Sequence, residues 1–200
     1  MNSDARLIVF EGVDAAGKST ICAQFMQMLK ASGVHASLLS FPGKTEGTIG
    51  ELIYRLHHKP SDFGVEHLTA SSLQTLHIAA HLDAIETVIL PRLESGETIV
   101  LDRYWWSTWV YGFAAGVNAD MLDALIEAER IAWGSTRPTS LFYVTRGLPL
   151  RKEPLEQWYR VKAAYDKMLA REHGRYPIHI IENEGSPDAS VRRICQLLPL

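Results

Sequence analysis

The chain has 200 residues, of which 46% are hydrophobic and 22% are charged, a balance typical of a globular domain with a substantial core. Its formal net charge of −3 leaves no global basic field that could hold a nucleic-acid polymer. The cysteines, Cys22 and Cys195, follow neither a metal-ligand spacing nor the dense pattern of a secreted disulfide scaffold. We therefore expect any phosphate binding to be local.

The apolar runs of the chain are short. None approaches the roughly 20 consecutive apolar residues that a membrane-spanning helix needs, so no membrane partner is expected. Met1–Arg6 is polar, and the apolar run Leu7–Phe10 that follows is too brief for the core of a signal sequence. The expected location is cytoplasmic.

Apolar runs and apolar residues at helical spacing alternate along the chain. The first half predicts, in order, a strand at Leu7–Phe10, a helix at Lys18–Ser32, a strand at His35–Phe41, a helix at Gly50–His58 and one long helix or two over Val65–Leu93. The second half predicts a strand at Thr98–Leu101, helices at Trp105–Ala115 and Ala119–Ala132, a strand at Ser140–Val144, a helix at Leu155–Arg171, a strand at Ile178–Ile181 and a helix at Asp188–Leu197.

This alternation favours an α/β fold with a five-stranded parallel sheet and helices on both faces. The segment Arg146–Glu153 carries three basic residues, one glycine and one proline, and is typical of a mobile loop. The sequence shows no repeat and no linker. We therefore expect a single domain over residues 1–200, with a short lid loop at about residues 145–157.

A phosphate-binding motif follows the first predicted strand. Gly12–Ser19 matches G-x-x-x-x-G-K-[ST], with an apolar strand before it and a helix after it, as the motif requires. The two glycines allow a tight turn whose N–H groups point inward, Lys18 supplies a charge to the β- and γ-phosphates, and Ser19 can ligate Mg²⁺. The predicted ATP-binding residues are Gly12, Ala15, Ala16, Gly17, Lys18, Ser19 and Thr20.

A second group of charged residues follows the strand Thr98–Leu101. Ligands of open parallel sheets bind at the carboxyl ends of the strands, where Asp102 can help hold Mg²⁺ together with Ser19. Arg103 comes next, and its guanidinium can bind two oxygens of an acceptor phosphate. The alternative is that Asp102 only caps the next helix, with Arg103 on its surface.

These segments resemble the thymidylate kinase family in the right order over nearly the whole chain. The resemblance rests on Phe10–Thr20, on Phe41-Pro42 with Lys44 where the family usually has arginine, on Asp102–Ser107 with Tyr111, and on Arg160–Tyr165. It implies a P-loop NTPase fold and transfer of the γ-phosphoryl group of ATP, with Mg²⁺, to a nucleoside monophosphate. The best acceptor candidate is dTMP, and the family is usually homodimeric.

The resemblance also implies roles for individual residues. Asp14 would lie near the sugar and phosphate of the acceptor, while Lys44 and Arg103 would bind the acceptor phosphate. The side chains expected to line the acceptor pocket are Phe41, Ser107 and Tyr111. The residues expected to take part in catalysis are Lys18, Asp102, Arg103 and Arg151.

Arg151 is a candidate because the P-loop carries Ala15-Ala16 where some family members have a catalytic arginine. A cation would then have to come from the loop after the fourth strand, which offers Arg146, Arg151 and Lys152. We favour Arg151, delivered by lid closure that also excludes water. The alternative is a solvated basic loop without a catalytic role.

Within the predicted helix over Val65–Leu93, the stretch Leu76–Asp83 has no arginine, whereas the family usually carries one there that reads the base. His77 and His81 are the nearest polar side chains, and we take His81 as the candidate for the acceptor pocket. The two histidines are four residues apart, so they could instead lie on a helix surface or form a metal pair. Trp105, Trp106 and Trp109 are expected to pack in the core or in a dimer interface, although Trp106 or Trp109 could stack on a base.

Other functions remain open at this point. The altered base pocket favours, as an alternative, a related P-loop kinase for another small acceptor, such as a modified pyrimidine nucleotide or a nucleoside. A nucleotide-binding regulatory module without transfer activity is a second alternative, and a catalytically dead relative is a third. The partners expected in the first two readings are small-molecule nucleotides.

Overall fold

The computed structural model describes residues 5–198, so both ends of the expected 1–200 domain, including most of the polar segment Met1–Arg6, lie outside the described residues. Five strands form one sheet in the order β2-β3-β1-β4-β5, and every neighbouring pair is parallel. They are β1 (Leu7–Glu11), β2 (Ala36–Ser40), β3 (Thr98–Asp102), β4 (Ser140–Thr145) and β5 (Ile178–Glu182). The predicted five-stranded parallel sheet is confirmed.

The central strands are buried along their whole length. Every residue of β1 is buried, and so are the first four of β3, as expected for a parallel sheet covered by helices. Their register places Phe10 opposite Asp102. The chain that follows β1 and the chain that follows β3 therefore emerge side by side at the carboxyl edge of the sheet.

Eight α-helices alternate with the strands in the described part of the chain. They are α1 (Lys18–Ala31), α2 (Ile49–His58), α3 (Ala70–Ala84), α4 (Leu90–Glu94), α5 (Trp105–Ala114), α6 (Ala119–Trp133), α7 (Leu155–Glu172) and α8 (Pro187–Leu197). Helix α1 packs against α8, whereas α5 packs against α3, α6 and α7. Apart from the region before β3, the bounds differ from the predicted ones by one or two residues.

The region before β3 differs more from the prediction. The predicted helix from residue 65 begins only at Ala70, where the Thr69 hydroxyl caps it by accepting a hydrogen bond from Ser72 N–H. Helical structure then continues to Glu94, through a π-helical turn at Ile85–Ile89 that joins α3 to α4. Pro91 follows this turn and has no N–H to donate, which favours a local change of helical pitch.

The aromatic residues at the start of α5 belong to the core. Trp105 is 2% exposed and Trp106 is fully buried, so their expected core packing is confirmed. Trp106 donates its indole N–H to the Tyr176 hydroxyl at 2.8 Å, and Trp109 donates to the Asp123 carboxylate at 2.7 Å. The indole N–H groups are thus satisfied inside the protein, as buried tryptophans require.

None of the helices in the described part of the chain is both long and apolar enough to cross a membrane.

Candidate functional site

The loop between β1 and α1 is shaped by its two glycines. Gly12 has φ +146°, and a Cβ there would overlap the Val144 carbonyl of β4. Gly17 has φ +91° at the start of α1, and a Cβ there would overlap the Asn183 side chain. Larger residues are therefore excluded on steric grounds at both positions. The turn between them leads directly into the N-terminus of α1, and the free N–H groups of a helix N-terminus are suited to bind an anion such as phosphate.

The remaining residues predicted to bind ATP occupy this loop and the first turn of α1. Ala15 has φ +59°, and Ala16 is buried with its N–H donating to the Val13 carbonyl at 3.3 Å. Ser19 and Thr20 are exposed in the first turn of α1. The structure thus keeps the whole predicted set together in one turn of backbone.

Lys18, Ser19 and Asp102 meet at the carboxyl edge of the sheet. The Lys18 ammonium is 5% exposed and lies 3.6 Å from Asp102 Oδ1, while Ser19 donates its hydroxyl to Asp102 Oδ2 at 2.8 Å. Burial and the nearby Arg103 lower the pKa of Lys18, against the opposing attraction of Asp102 and Asp14. A concentrated positive charge in a partly dehydrated site is suited to bind phosphate.

The same group of side chains fits a divalent cation. Asp102 Oδ1 is buried and accepts no hydrogen bond in the described structure, although it faces Lys18. The Ser19 hydroxyl lies directly beside the other carboxylate oxygen. Hard oxygen donors of this kind suit Mg²⁺, which takes one or two protein ligands and completes its shell with phosphate and water. Asp102 and Ser19 are therefore the residues that would hold it.

Arg103 joins the P-loop to helix α5. Its guanidinium forms a close ion pair with Asp14 and donates to the Ser107 hydroxyl at 2.9 Å. It also lies over the Tyr111 ring, 5.3 Å from the centroid. Burial alone would raise the pKa of Asp14, but Arg103 and then Lys18 outweigh it and lower that pKa. Four residues predicted to bind the acceptor are thus in one contact network.

The backbone of Arg103 is held in an uncommon conformation. Its φ is +79°, in the left-handed region that few residues other than glycine adopt. Its N–H donates to the Phe10 carbonyl at 2.9 Å, which continues the pairing between β1 and β3 by one residue. Backbone strain of this kind costs about 1 kcal/mol or more and is enriched at functional sites. Here it turns the side chain back over the P-loop.

Tyr111 and Asp14 also meet through the backbone. The Tyr111 hydroxyl accepts a hydrogen bond from the Asp14 N–H at 3.0 Å. Tyr111 further lines a cavity of about 360 Å³ with residues from the end of α5 and the start of α7. Tyr111 thus contacts both the Asp14–Arg103 pair and this cavity.

Glu11, at the end of β1, is a buried carboxylate for which the sequence predicted no role. One oxygen accepts from the backbone N–H groups of Tyr104 and Ser107, and the other accepts from the hydroxyls of Ser107 and Tyr165. Burial raises its pKa, against the lowering effect of Arg103 and of these hydrogen bonds. The signal for it was an acidic residue at the end of a wholly apolar strand, which needs buried partners.

The predicted pocket residues Phe41 and His81 form a stacked pair. Their ring centroids are 4.0 Å apart with an interplanar angle of 14°. His81 is 2% exposed, and its Nδ1 lies 2.8 Å from a carboxylate oxygen of the fully buried Glu129. Trp133 donates to the other oxygen of Glu129 at 3.2 Å. The proposed role of His81 in the acceptor pocket stays a prediction, and its polar edge is already engaged by Glu129.

His77 belongs to a group that we call the histidine cluster, formed by His57 and His58 of α2 with His77 and His81 of α3. Consecutive rings in this cluster are 4.9 to 6.2 Å apart between centroids. His77 Nε2 is buried and has no hydrogen-bond partner in the described structure. Burial, then the neighbouring His81, His57 and Arg103, lower the pKa of His77 from 6.5 to about 3. The lowered pKa keeps His77 neutral, and the charge of Arg103 contributes to this shift.

Within residues 5–198, no three His, Cys, Asp or Glu side chains are arranged so that they could hold a metal ion together, and this includes the histidine cluster.

The other cationic side chains predicted for the site are Lys44 and the two arginines of the segment after β4. Lys44 is exposed, with its ammonium 4.5 Å from the centroid of the Tyr54 ring. Arg151 is 71% exposed and pairs with Glu153 at 2.7 Å, while Arg146 is mostly covered and lies 3.9 Å from Glu184. The irregular segment runs from residue 146 to residue 154, slightly shorter than the expected lid. The assignments of Lys44 and Arg151 stay predictions.

Similar proteins were found by two comparisons. The sequence model described as "Thymidylate kinase" matches residues 10–146, which include the P-loop and Asp102 to Tyr111. The thymidylate kinase of Chlorobaculum parvum is 32% identical over 96% of this chain and 94% of its own length. That of Chlorobium luteolum is 29% identical over 85% of this chain and 86% of its own. The probable thymidylate kinase of Archaeoglobus fulgidus is 35% identical over 60% of this chain and 57% of its own.

Proposed function

The chain belongs to the thymidylate kinase family, and we propose that it transfers the γ-phosphoryl group of ATP to dTMP, forming dTDP and ADP. One observation carries the proposal beyond nucleotide binding. Arg103 follows directly after Asp102, and its side chain pairs with Asp14, so the cations of Lys18 and Arg103 both lie close to Asp14. A protein that only bound ATP would need Lys18 but not Arg103.

The reaction needs positioning and charge neutralisation more than a strong base. An oxygen of the acceptor phosphate attacks the γ-phosphorus, and the bond to the oxygen that bridges the β- and γ-phosphates breaks. The donor and acceptor phosphates repel each other as they approach. Lys18 on the donor side and Arg103 on the acceptor side would offset this repulsion and stabilise the charge of the transferring group.

Mg²⁺, when held by Ser19 and Asp102, would neutralise phosphate charge and orient the β- and γ-phosphates. The protein contributes the orientation of these two ligands. The hydrogen bond from the Ser19 hydroxyl to Asp102 Oδ2 holds them together at 2.8 Å. Asp102 ends β3 and Ser19 lies in the first turn of α1, so both ligands belong to regular elements rather than to a flexible loop.

The acceptor phosphate and sugar would lie against the Asp14–Arg103 pair. Ser107 and Tyr111 contact Arg103 from α5 and orient its guanidinium toward Asp14. Arg151 is our candidate for the lid cation that approaches the γ-phosphate on closure. Its present pairing with Glu153 is solvent-exposed, so it can exchange for phosphate at little energetic expense.

The base would lie toward Phe41 and the histidine cluster. Phe41 and His81 form a flat wall, and His77 offers an unsatisfied ring nitrogen. A neutral imidazole carries one donor and one acceptor, so it can pair with either edge group of a pyrimidine. This chemistry also favours a second candidate function, a kinase whose acceptor is a modified pyrimidine nucleotide or a nucleoside.

The homodimer expected from the resemblance and the cytoplasmic location expected from the short apolar runs belong to the same proposal. The exposed apolar side chain of Ile131, 73% exposed on α6, is the kind of surface that a second copy could cover. Light scattering of the purified chain would measure its mass directly. A mass of one chain across a wide concentration range would remove the dimer from the proposal.

The test of function is an ADP-release assay with ATP, Mg²⁺ and a panel of acceptors that includes dTMP, dUMP, dCMP and thymidine. We expect dTMP to give the highest kcat/KM. A preference for another acceptor would keep the chemistry and favour the second candidate. Binding of ATP without transfer to any acceptor would contradict a kinase and favour a regulatory module or a dead relative.

A further inference from the structure

The carbonyl groups of the P-loop are held from outside by three separate segments. Because the loop turns its N–H groups inward, its carbonyls face the surrounding protein and need donors. Asp14 C=O accepts from the Trp158 indole N–H at 2.7 Å, Ala15 C=O from the Leu150 N–H at 2.8 Å, and Ala16 C=O from the Asn183 amide at 2.8 Å. These donors belong to α7, to the lid segment and to the connection between β5 and α8.

Trp158 acts on the acceptor side of the loop. Asp14 is held at its N–H by Tyr111, at its carbonyl by Trp158 and at its carboxylate by Arg103. Trp158 is 3% exposed, so its hydrogen bond is shielded from water and worth more than a surface contact. The Trp158 hydrogen bond therefore helps fix the residue whose carboxylate pairs with Arg103.

Asn183 acts on the ATP side of the loop. Its amide N–H₂ holds the carbonyl of Ala16, next to Gly17 and Lys18, and also lies where a Cβ of Gly17 would be. Ser190 donates to Asn183 Oδ1 at 2.9 Å, and Asn183 N–H donates to the Thr145 carbonyl at 2.8 Å. The side chain is 2% exposed and has its oxygen and nitrogen both engaged, so it is a rigid support.

The hydrogen bond from Leu150 to Ala15 differs from these two. Leu150 is 58% exposed and belongs to the irregular lid segment, whereas Trp158 and Asn183 are buried. The middle of the loop is thus held by an exposed, irregular segment, whereas its two ends are held by buried donors, one on α7 and one in the connection between β5 and α8.

We propose that Trp158 and Asn183 are positioning residues that set the two halves of the P-loop independently, Trp158 for the acceptor phosphate and Asn183 for the phosphates of ATP. The inference rests on the proposed function, because it assigns the Asp14 side of the loop to an acceptor. It predicts that substituting either residue weakens the binding of one nucleotide and leaves the binding of the other unchanged. A merely structural role of either residue would change both affinities together.

The test compares Trp158→Phe with Trp106→Phe. Each variant loses one indole N–H and keeps an aromatic ring, but the hydrogen bond of Trp106 goes to Tyr176 rather than to the P-loop. Calorimetric titrations with Mg-ATP and with dTMP, each alone, give the two dissociation constants. We expect Trp158→Phe to weaken dTMP binding about five- to tenfold and to leave ATP binding within about twofold. Trp106→Phe should change neither.

Asn183→Asp supplies the opposite half of the test. It keeps an acceptor for Ser190 but replaces the donor to Ala16 with a carboxylate oxygen that repels the carbonyl. Because the new charge also lies near the phosphates, Asn183→Ala is measured beside it. We expect both variants to weaken ATP binding about tenfold and to leave dTMP binding within about twofold. Steady-state kinetics should show the same split, in KM for dTMP with Trp158→Phe and in KM for ATP with the Asn183 variants.

The inference is overturned if Trp158→Phe leaves dTMP binding unchanged, or if either substitution weakens both ligands equally. A wild-type chain that neither binds nor phosphorylates dTMP contradicts the proposed function instead. In that case ATP binding alone decides the inference. The Asn183 variants must weaken ATP binding, and Trp158→Phe must leave it unchanged. Thermal melts identify a variant that fails to fold. If Asn183→Asp does not fold, the binding constants of Asn183→Ala are used instead.

Discussion

The P-loop follows β1 at the carboxyl edge of the sheet, whereas the histidine cluster lies between α2 and α3, and the two regions are built differently. The P-loop is shaped by backbone, with glycines at two constrained turns and a lysine and an aspartate brought together by the sheet. The histidine cluster is shaped by side chains from two helices that contact each other across a helix interface. Under the proposed function, the P-loop binds phosphate, which is the same group in every nucleotide, and the histidine cluster lies toward the base, which differs between nucleotides.

The difference teaches where specificity can change in such a protein. Phosphate has the same charge and shape in every nucleotide, so few arrangements of residues suit it. A base can be recognised by many combinations of donors, acceptors and rings. Substitutions in the P-loop should therefore abolish activity, and substitutions in the histidine cluster should alter stability or acceptor preference.

The largest effect is expected from Lys18→Ala. Removing the buried ammonium takes away the charge that faces the β- and γ-phosphates, so kcat should fall about a thousandfold or more. Lys30→Ala is the matched control, since Lys30 is exposed at the other end of the same helix. Initial rates with saturating ATP and dTMP measure both variants. A Lys18→Ala enzyme with wild-type rates would remove the P-loop from the mechanism.

Arg103→Ala should have the next largest effect, and it should fall on the acceptor. Loss of the guanidinium removes a charge-assisted contact to phosphate, so kcat/KM for dTMP should fall about a hundredfold, with ATP binding within about threefold. Arg193→Ala is the control, because Arg193 is exposed on α8 and donates to Gln196 in the same helix. An equal loss of ATP affinity would mean that Arg103 serves the donor nucleotide.

The histidine cluster should respond to Glu129→Gln through stability. Glu129 is fully buried and holds both His81 and Trp133, so the amide leaves one of these groups poorly satisfied. The free energy of unfolding should fall by about 2 kcal/mol, measured by urea denaturation. Glu127→Gln is the control on the same helix, where an exposed ion pair contributes little. Equal stability of the two variants would contradict a structural role for Glu129.

The smallest expected effect concerns pH and His77. Its pKa is lowered from 6.5 to about 3 in the folded chain, so below pH 6.5 the unfolded chain takes up a proton that the folded chain does not. The contribution of His77 to the free energy of unfolding is therefore at its full value above pH 6.5, and it decreases as the pH falls from 6.5 toward about 3.

His77→Asn should therefore show a shallower loss of unfolding free energy on acidification than the wild type. Urea denaturation at intervals of about one pH unit across this range measures the two slopes. His35→Asn, at an exposed position, serves as the control. Identical slopes for His77→Asn and the wild type would mean that His77 is solvated in solution.

The same contrast explains what the sequence could predict. The strand Leu7–Glu11, the P-loop and Asp102 were predictable because apolar pattern, glycine spacing and phosphate chemistry are all local in the chain. The pairing of Asp14 with Arg103 joins residues 89 positions apart, and the sequence could only place both near the acceptor.

The contacts that no pattern predicted come from tertiary structure. Nothing local indicates that Glu129 holds His81, that Phe41 stacks on His81, or that Trp158 reaches the Asp14 carbonyl. The helical spacing before Ala70 was misleading for a different reason. Residues 65–69 have apolar and polar residues in a helix-compatible order, but the Thr69 cap sets the helix start after them.

The measurement that tests the central claim most directly is a ³¹P NMR time course of the chain with ATP, Mg²⁺ and dTMP. The account predicts that ATP disappears while ADP and dTDP form in equal amounts, and that Lys18→Ala abolishes both signals. Formation of ADP and inorganic phosphate without dTDP would contradict transfer to dTMP.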